Sequence, residues 1–277
     1  MNETSGLHPG LRKHTARGRA IVCLMGIFAL VCAFLVRGRV EGDLIPVLSM
    51  LPTSRVETVD VFGGSMTDGW LDPTRDSFVH RAFQWRSITT PTRYRYMNYA
   101  IPGYTALRFS QRYPGRFQRI LFHQHPQVVV IAWGLENDMN SRHRDTVRVF
   151  GRAVKQEIAQ SLRAHAVVLL VTPPVTKELD TVDHRRVYTY IHELFRVGAS
   201  FHNPNVIDMN VYQQMQSYMK AHHQTYKQYY GNAWHPNRAG HILAGRILAR
   251  DLQQHFGNGP IQWKPRHSSN QGPTTNL

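Results

Sequence analysis

Apolar residues in the body of the chain fall into five short runs, at 59–62, 96–99, 128–133, 166–171 and 206–208. The third and fourth, VVVIAW and AVVLLV, are continuous rather than alternating. That pattern predicts strands covered on both faces of a parallel sheet. Stretches of helical length separate most of the runs, at 106–122, 146–164 and 185–197. A last one, 237–256, places Ile242, Leu243, Ile247, Leu248 and Leu252 along one helical face. Strands alternating with helices predict an α/β fold, a doubly wound three-layer sandwich with about five parallel strands. In such a fold the chemistry belongs to the loops beyond the carboxyl ends of the strands.

A sixth apolar stretch is of another kind. Residues 20–36, AIVCLMGIFALVCAFLV, run for seventeen positions without a charge. As a helix they would rise about 25 Å, near the lower limit for a bilayer core of about 30 Å. Arg12, Lys13, Arg17 and Arg19 precede the run, and only Arg37 and Arg39 follow closely. This bias predicts a transmembrane anchor with residues 1–19 in the cytoplasm, a linker at 37–56 and a domain at 57–256 outside the cell. The alternative is secretion after cleavage of a signal peptide, although no small-x-small site follows the run. Both cysteines, Cys23 and Cys32, lie inside it, so the domain has neither a disulfide nor a thiol nucleophile. Residues 257–277 are rich in Gly, Pro, Ser, Asn and Thr and predict a disordered tail.

Composition narrows the function classes. With 42% hydrophobic residues among 277, the chain can bury a full core, which excludes collagen-like, disulfide-scaffold and wholly disordered classes. Thirty-three Lys and Arg against 18 Asp and Glu give a formal charge of +15. Such a balance favours anionic neighbours without naming one. Arg93-Tyr94-Arg95-Tyr96 and the stretch from Arg108 to Arg119 interleave cations with aromatics. An exported domain rarely meets nucleic acid, so none is expected as a partner. The paired histidines (His123 with His125, His222 with His223) lack further partners at metal-binding spacing, and no phosphate-cradling glycine loop is present. Neither a metal nor a cofactor is expected.

Four segments sit where that fold class would put a site. They are Gly63-Gly64-Ser65-Met66-Thr67-Asp68-Gly69-Trp70 after the first run and Ala100-Ile101-Pro102-Gly103-Tyr104-Thr105 after the second. Gly134-Leu135-Glu136-Asn137-Asp138 follows the third, and Gly231-Asn232-Ala233-Trp234-His235-Pro236-Asn237-Arg238-Ala239-Gly240-His241 precedes the last helix. In this order they resemble the four sequence blocks of the GDSL/SGNH hydrolase family, over most of residues 57–256. The resemblance implies a flavodoxin-like sandwich and a serine esterase. Ser65 would be the nucleophile, His235 the base that takes its proton, and Asn232 the group that orients the imidazole. The oxyanion hole would combine the backbone N–H groups of Ser65 and Gly103 with the side-chain amide of Asn137.

Three positions depart from the family pattern. Asn232 stands where an aspartate usually precedes the histidine by three residues, Gly64 stands where the first block has aspartate, and the third block is one residue longer than Gly-x-Asn. Asn140 is a possible substitute for Asn137. Taken together, the expectation is a membrane-anchored, extracytoplasmic SGNH-type esterase. It would hydrolyse or transfer a small, acetyl-like acyl group on a glycan or other small ester through an acyl-serine intermediate. The alternative is a catalytically weak or inactive SGNH-fold protein that binds an acidic or acylated glycan.

Overall fold

A computed structural model describes residues 55–140 and 146–265. The expected anchor at 20–36, the expected cytoplasmic segment 1–19 and nearly all of the expected linker lie outside the described residues. Among the described residues, no helix is long and apolar enough to cross a membrane.

Five parallel strands form one sheet: β1 (Val56–Gly63), β2 (Arg93–Asn98), β3 (Val128–Ala132), β4 (Val167–Val171) and β5 (Val206–Met209), in the order β2-β1-β3-β4-β5. β3 and β4 are buried along their whole length, as their unbroken apolar runs require. The edge strand β2, RYRYMN, keeps its alternating arginines outward and is only half covered.

The helical connections divide into two layers. The first contains α2 (Phe78–Thr89), α9 (Val211–Ala221) and α10 (Arg238–Phe256), which follow the short α1 (Ser65–Asp68) and close the sheet on one side. The second contains α3 (Ala106–Arg112), α4 (Arg116–Gln124), α6 (Thr146–Arg163) and α8 (His184–Ala199). Short helices α5 (Glu136–Met139) and α7 (Lys177–Asp180) lie in loops, and a hairpin of β6 (Tyr230–Asn232) and β7 (His235–Pro236) leads into α10. The expected doubly wound sandwich is the one observed.

Two sequence expectations need correction. The single helix expected at 106–122 is two. Pro114 holds Tyr113 out of helical geometry, and Gly115 turns the chain at φ +70°. The tail expected to be disordered from 257 is packed through residue 265; residues 266–277 lie outside the described residues. Buried Arg86 of α2 donates to the carbonyls of Leu252 and Gly257 (3.3 and 3.1 Å) and of Gly259. Ile261, 1% exposed, fills the core while its N–H donates to Glu57 Oε2 at 3.1 Å. The Lys264 N–H donates to Asn205 Oδ1, and Asn205 Nδ2 donates back to the Lys264 carbonyl.

Candidate active site

The chain leaves β1 in one direction to form β2 and returns to form β3 on the other side. The crevice at the carboxyl ends of β1 and β3 is therefore the switch point of the sheet. Ser65 follows β1 there, and the third block follows β3. Ser65 is the first residue of α1, reached through the extended Gly64. Gly63 permits this sharp turn, because a Cβ on it would lie 2.4 Å from the Ala132 carbonyl oxygen. Thr67 donates to the same carbonyl and ties α1 to β3.

His235 reaches this place from the far end of the chain. The β6–β7 hairpin turns it toward Ser65, and its Nε2 lies 2.8 Å from Ser65 Oγ. Its Nδ1 lies 3.0 Å from Asn232 Oδ1. The same oxygen accepts the backbone N–H groups of Trp234 and His235, each at 2.9 Å. Those two donors fix which end of the amide faces the ring, since the NH₂ end could not receive them. The ring therefore donates from Nδ1 and presents the lone pair of Nε2 to the serine hydroxyl. Burial lowers the His235 pKa from its ordinary value. No carboxylate among the described residues bonds to this ring or forms an ion pair with it, and what the amide cannot supply is a negative charge.

A cavity of about 340 Å³ opens beside this pair, lined by Ser65, Gly103, Glu136, Asn137, Asn140, Trp234 and His235. Gly103 takes φ +77°, a conformation costly for other residues, while the space a Cβ would fill is open. Asn137 Nδ2 donates to the Tyr104 carbonyl at 3.4 Å and would lie 3.8 Å from a Cβ on Gly64. The amide thus stands beside the first and second blocks despite the extra residue. Leu135 absorbs that residue: its backbone takes φ +68° while its side chain is buried in the core.

All five expected site residues, Ser65, His235, Asn232, Gly103 and Asn137, meet at this crevice, and Asn140 lines it too. Sequence reasoning missed several neighbours. Asp138 accepts the Ala106 N–H at 3.2 Å and so holds the Gly103 loop against the third block. Burial raises its pKa to about 8. Burial likewise raises the carboxyl of Glu136 well above its ordinary value, which favours a neutral acid in the cavity wall. His241 bridges the fourth block to the first: its Nδ1 accepts the Phe78 N–H at 3.3 Å and its Nε2 lies 3.2 Å from the Trp70 carbonyl. Trp70 and Trp234 are both exposed, and the Trp70 ring lies 6.3 Å from that of His235. The position of Trp234, next to the histidine, was the available signal.

The arrangement can deprotonate a serine hydroxyl beside a cavity whose wall includes Gly103 and the Asn137 amide. Residues 61–243 match the model of the GDSL-like Lipase/Acylhydrolase family. The fold is similar to that of a lipase/acylhydrolase from Enterococcus faecalis (TM-score 0.57, 21% identity, covering 72% of this chain and 96% of that one). It is also similar to a two-domain esterase active on acetylated mannans, crystallised with mannopentaose (TM-score 0.54, 17% identity, 76% of this chain and 53% of that one). A third similar structure is a family two carbohydrate esterase from Clostridium thermocellum in complex with cellohexaose (TM-score 0.53, 18% identity, 75% of this chain and 67% of that one). A comparison of the sequence with curated proteins finds no match.

Proposed function

This chain belongs to the GDSL-like lipase/acylhydrolase family, and on that premise we propose that it is a serine esterase working through an acyl-Ser65 intermediate. The observation that carries the reading is the 2.8 Å contact between Ser65 Oγ and His235 Nε2, with the ring held from behind at 3.0 Å by Asn232. The Ser65 hydroxyl proton passes to Nε2 as Oγ attacks the ester carbonyl. The resulting oxyanion is received by the N–H groups of Ser65 and Gly103 and by the Asn137 amide. The imidazolium returns its proton to the departing alcohol, leaving an acyl-serine. Water, or an acceptor hydroxyl in a transfer reaction, then attacks the acyl group with His235 again as base.

An open, partly polar cavity suits a small acyl group on a larger alcohol better than a long chain. The similar folds that act on acetylated mannans or bind cellohexaose support an acylated glycan as that alcohol. The uncharged segment 20–36 supports a membrane anchor that holds the domain outside the cell. Ser65→Ala and His235→Ala proteins are expected to lose hydrolysis of short-chain p-nitrophenyl esters while keeping their melting transition. Full activity in either would refute the assignment. The amide at Asn232 favours one second reading, a weakly catalytic or inactive glycan-binding protein, and that reading requires wild type to be as inactive as the variants.

A further inference from the structure

A basic, aromatic ledge begins at the edge of the cavity, and the reaction makes no use of it. From Thr105 to Leu135 the chain carries Arg108, Arg112, Arg116 and Arg119 and no aspartate or glutamate. The neighbouring helix α6 has a single acid, Glu157, and it is buried. Among the described residues, no carboxylate forms an ion pair with any of these four arginines. A solvated helix face would leave such side chains to sample many rotamers, but here aromatic rings hold two of them, Arg108 and Arg116. Tyr104 and Tyr113 stack at 6.0 Å with 13° between their planes. The Arg108 guanidinium lies 4.6 Å from the centre of the Tyr104 ring, and that of Arg116 lies 4.6 Å from the centre of Tyr113. Arg112 stands one helical turn beyond Arg108 on the same helix. Stacking holds each of the two stacked guanidinium groups with its N–H edge available, so less freedom is lost when an anion is bound.

The ledge is joined to the chemistry. Gly103, a wall of the cavity, precedes Tyr104, and its carbonyl accepts Arg108 Nη1 at 3.4 Å. The Tyr104 carbonyl accepts Asn137 Nδ2. A polymer gripped along α3 and the start of α4 would therefore present its acyl groups at Ser65. Guanidinium forks fit carboxylate and phosphate in a planar, paired fashion.

We propose that Tyr104, Arg108, Arg112, Tyr113 and Arg116 form a subsite for the anionic backbone of the acylated substrate, a surface polymer bearing carboxylates or phosphates. The proposal rests on the esterase reading and names the substrate class for it.

The test compares initial rates on acetylated polygalacturonate, acetylated poly(glycerol phosphate) and acetylated glucomannan, with the neutral polymer as reference. Wild type is expected to prefer one of the anionic polymers, with the preference shrinking as salt is raised. Whichever anionic polymer is preferred identifies the charge. In the Arg112→Gln/Arg116→Gln protein, the ratio of kcat/KM on that polymer to kcat/KM on glucomannan should fall about tenfold, through KM, as expected of two exposed charge pairs. The corresponding lysine protein keeps the charge but neither the planar fork nor the stacking, and should retain only part of the ratio. An unchanged ratio in the glutamine protein, or equal use of neutral and anionic polymers by wild type, overturns the proposal. Affinity electrophoresis in unacetylated polygalacturonate and poly(glycerol phosphate) separates it from the esterase reading. Arginine-dependent retardation by a wild type that cleaves no ester upholds the ledge and defeats the esterase. Tighter retention of single-stranded DNA than of either polymer also overturns it.

Discussion

Replacing Asn232 with aspartate tests how much of the charge-relay geometry this site retains. The Asn232 oxygen already sits 3.0 Å from His235 Nδ1 and is oriented by two backbone donors, so a carboxylate can take its place without moving the ring. In trypsin, the reverse change of aspartate to asparagine costs about ten-thousandfold in turnover, chiefly because the wrong tautomer is held. Here the tautomer is already the useful one, so the gain should be only the electrostatic part. Unit charges about 4 Å apart interact by about 4 kcal/mol at an effective dielectric of 20. Position 232 is exposed, which screens the pair. A rise of about 1–2 units in the His235 pKa is reasonable for such a neighbour, or about 1.4–2.7 kcal/mol of imidazolium stabilisation. Expressed in the transition state, that is about a ten- to hundredfold increase in kcat/KM for a p-nitrophenyl ester at pH 8.

The pH profile supplies the sign. His235 acts as a base only when neutral, so activity falls as pH drops through its folded-state pKa. Burial puts that pKa below the ordinary value of 6.5 in wild type. In Asn232→Asp the acid limb should move upward, so the advantage seen at pH 8 narrows toward pH 6. The assay is kcat/KM from pH 4.5 to about 9 on both proteins, a span chosen to bracket an ordinary histidine. An unchanged limb, or a variant slower than wild type across the range, would refute the reasoning.

Other outcomes follow from the packing. Burial raises the Glu157 pKa to about 8 although Trp133 Nε1 donates to it at 3.0 Å. A carboxyl raised in the fold above its unfolded value stabilises at low pH and loses that contribution as pH climbs from about 4.5 to 8. Glu157→Gln keeps the acceptor and cannot ionise. Its melting temperature should match wild type near pH 5 and exceed it by roughly 3–8 °C near pH 9, as scanning calorimetry would show. Ile261→Ala should cost about 2–5 kcal/mol in urea denaturation, the range for a buried aliphatic truncation. A disordered tail would make it silent.

Much of the fold was legible because the strands that matter most are the ones water never reaches. Continuous valine and leucine runs at β3 and β4 have one reading in a chain of this length, and the loops after the strands then locate the site. The approach of Ser65 and His235 could be expected from the order of the four blocks, and so could the place of Asn232 behind the imidazole. Local signals failed where tertiary contacts override them. Helix α2, FVHRAFQWRSIT, mixes polar and apolar residues around its circumference, and its Arg86 is drawn into the interior by carbonyls at the end of α10 and just after it. Residues 257–265 have the composition of a loose tail, yet one isoleucine and a pair of hydrogen bonds to Asn205 anchor them. The adaptation of the third block was hidden too, since a leucine at φ +68° leaves no mark in the sequence.

The central claim is that Ser65 carries an activated hydroxyl, and labelling with a fluorophosphonate probe tests it most directly. Peptide mass spectrometry is expected to find the adduct on Ser65 in wild type and to lose it in His235→Ala at equal folded concentration. An unlabelled Ser65 in folded wild-type protein, or labelling that proceeds unchanged without the imidazole, would contradict the account.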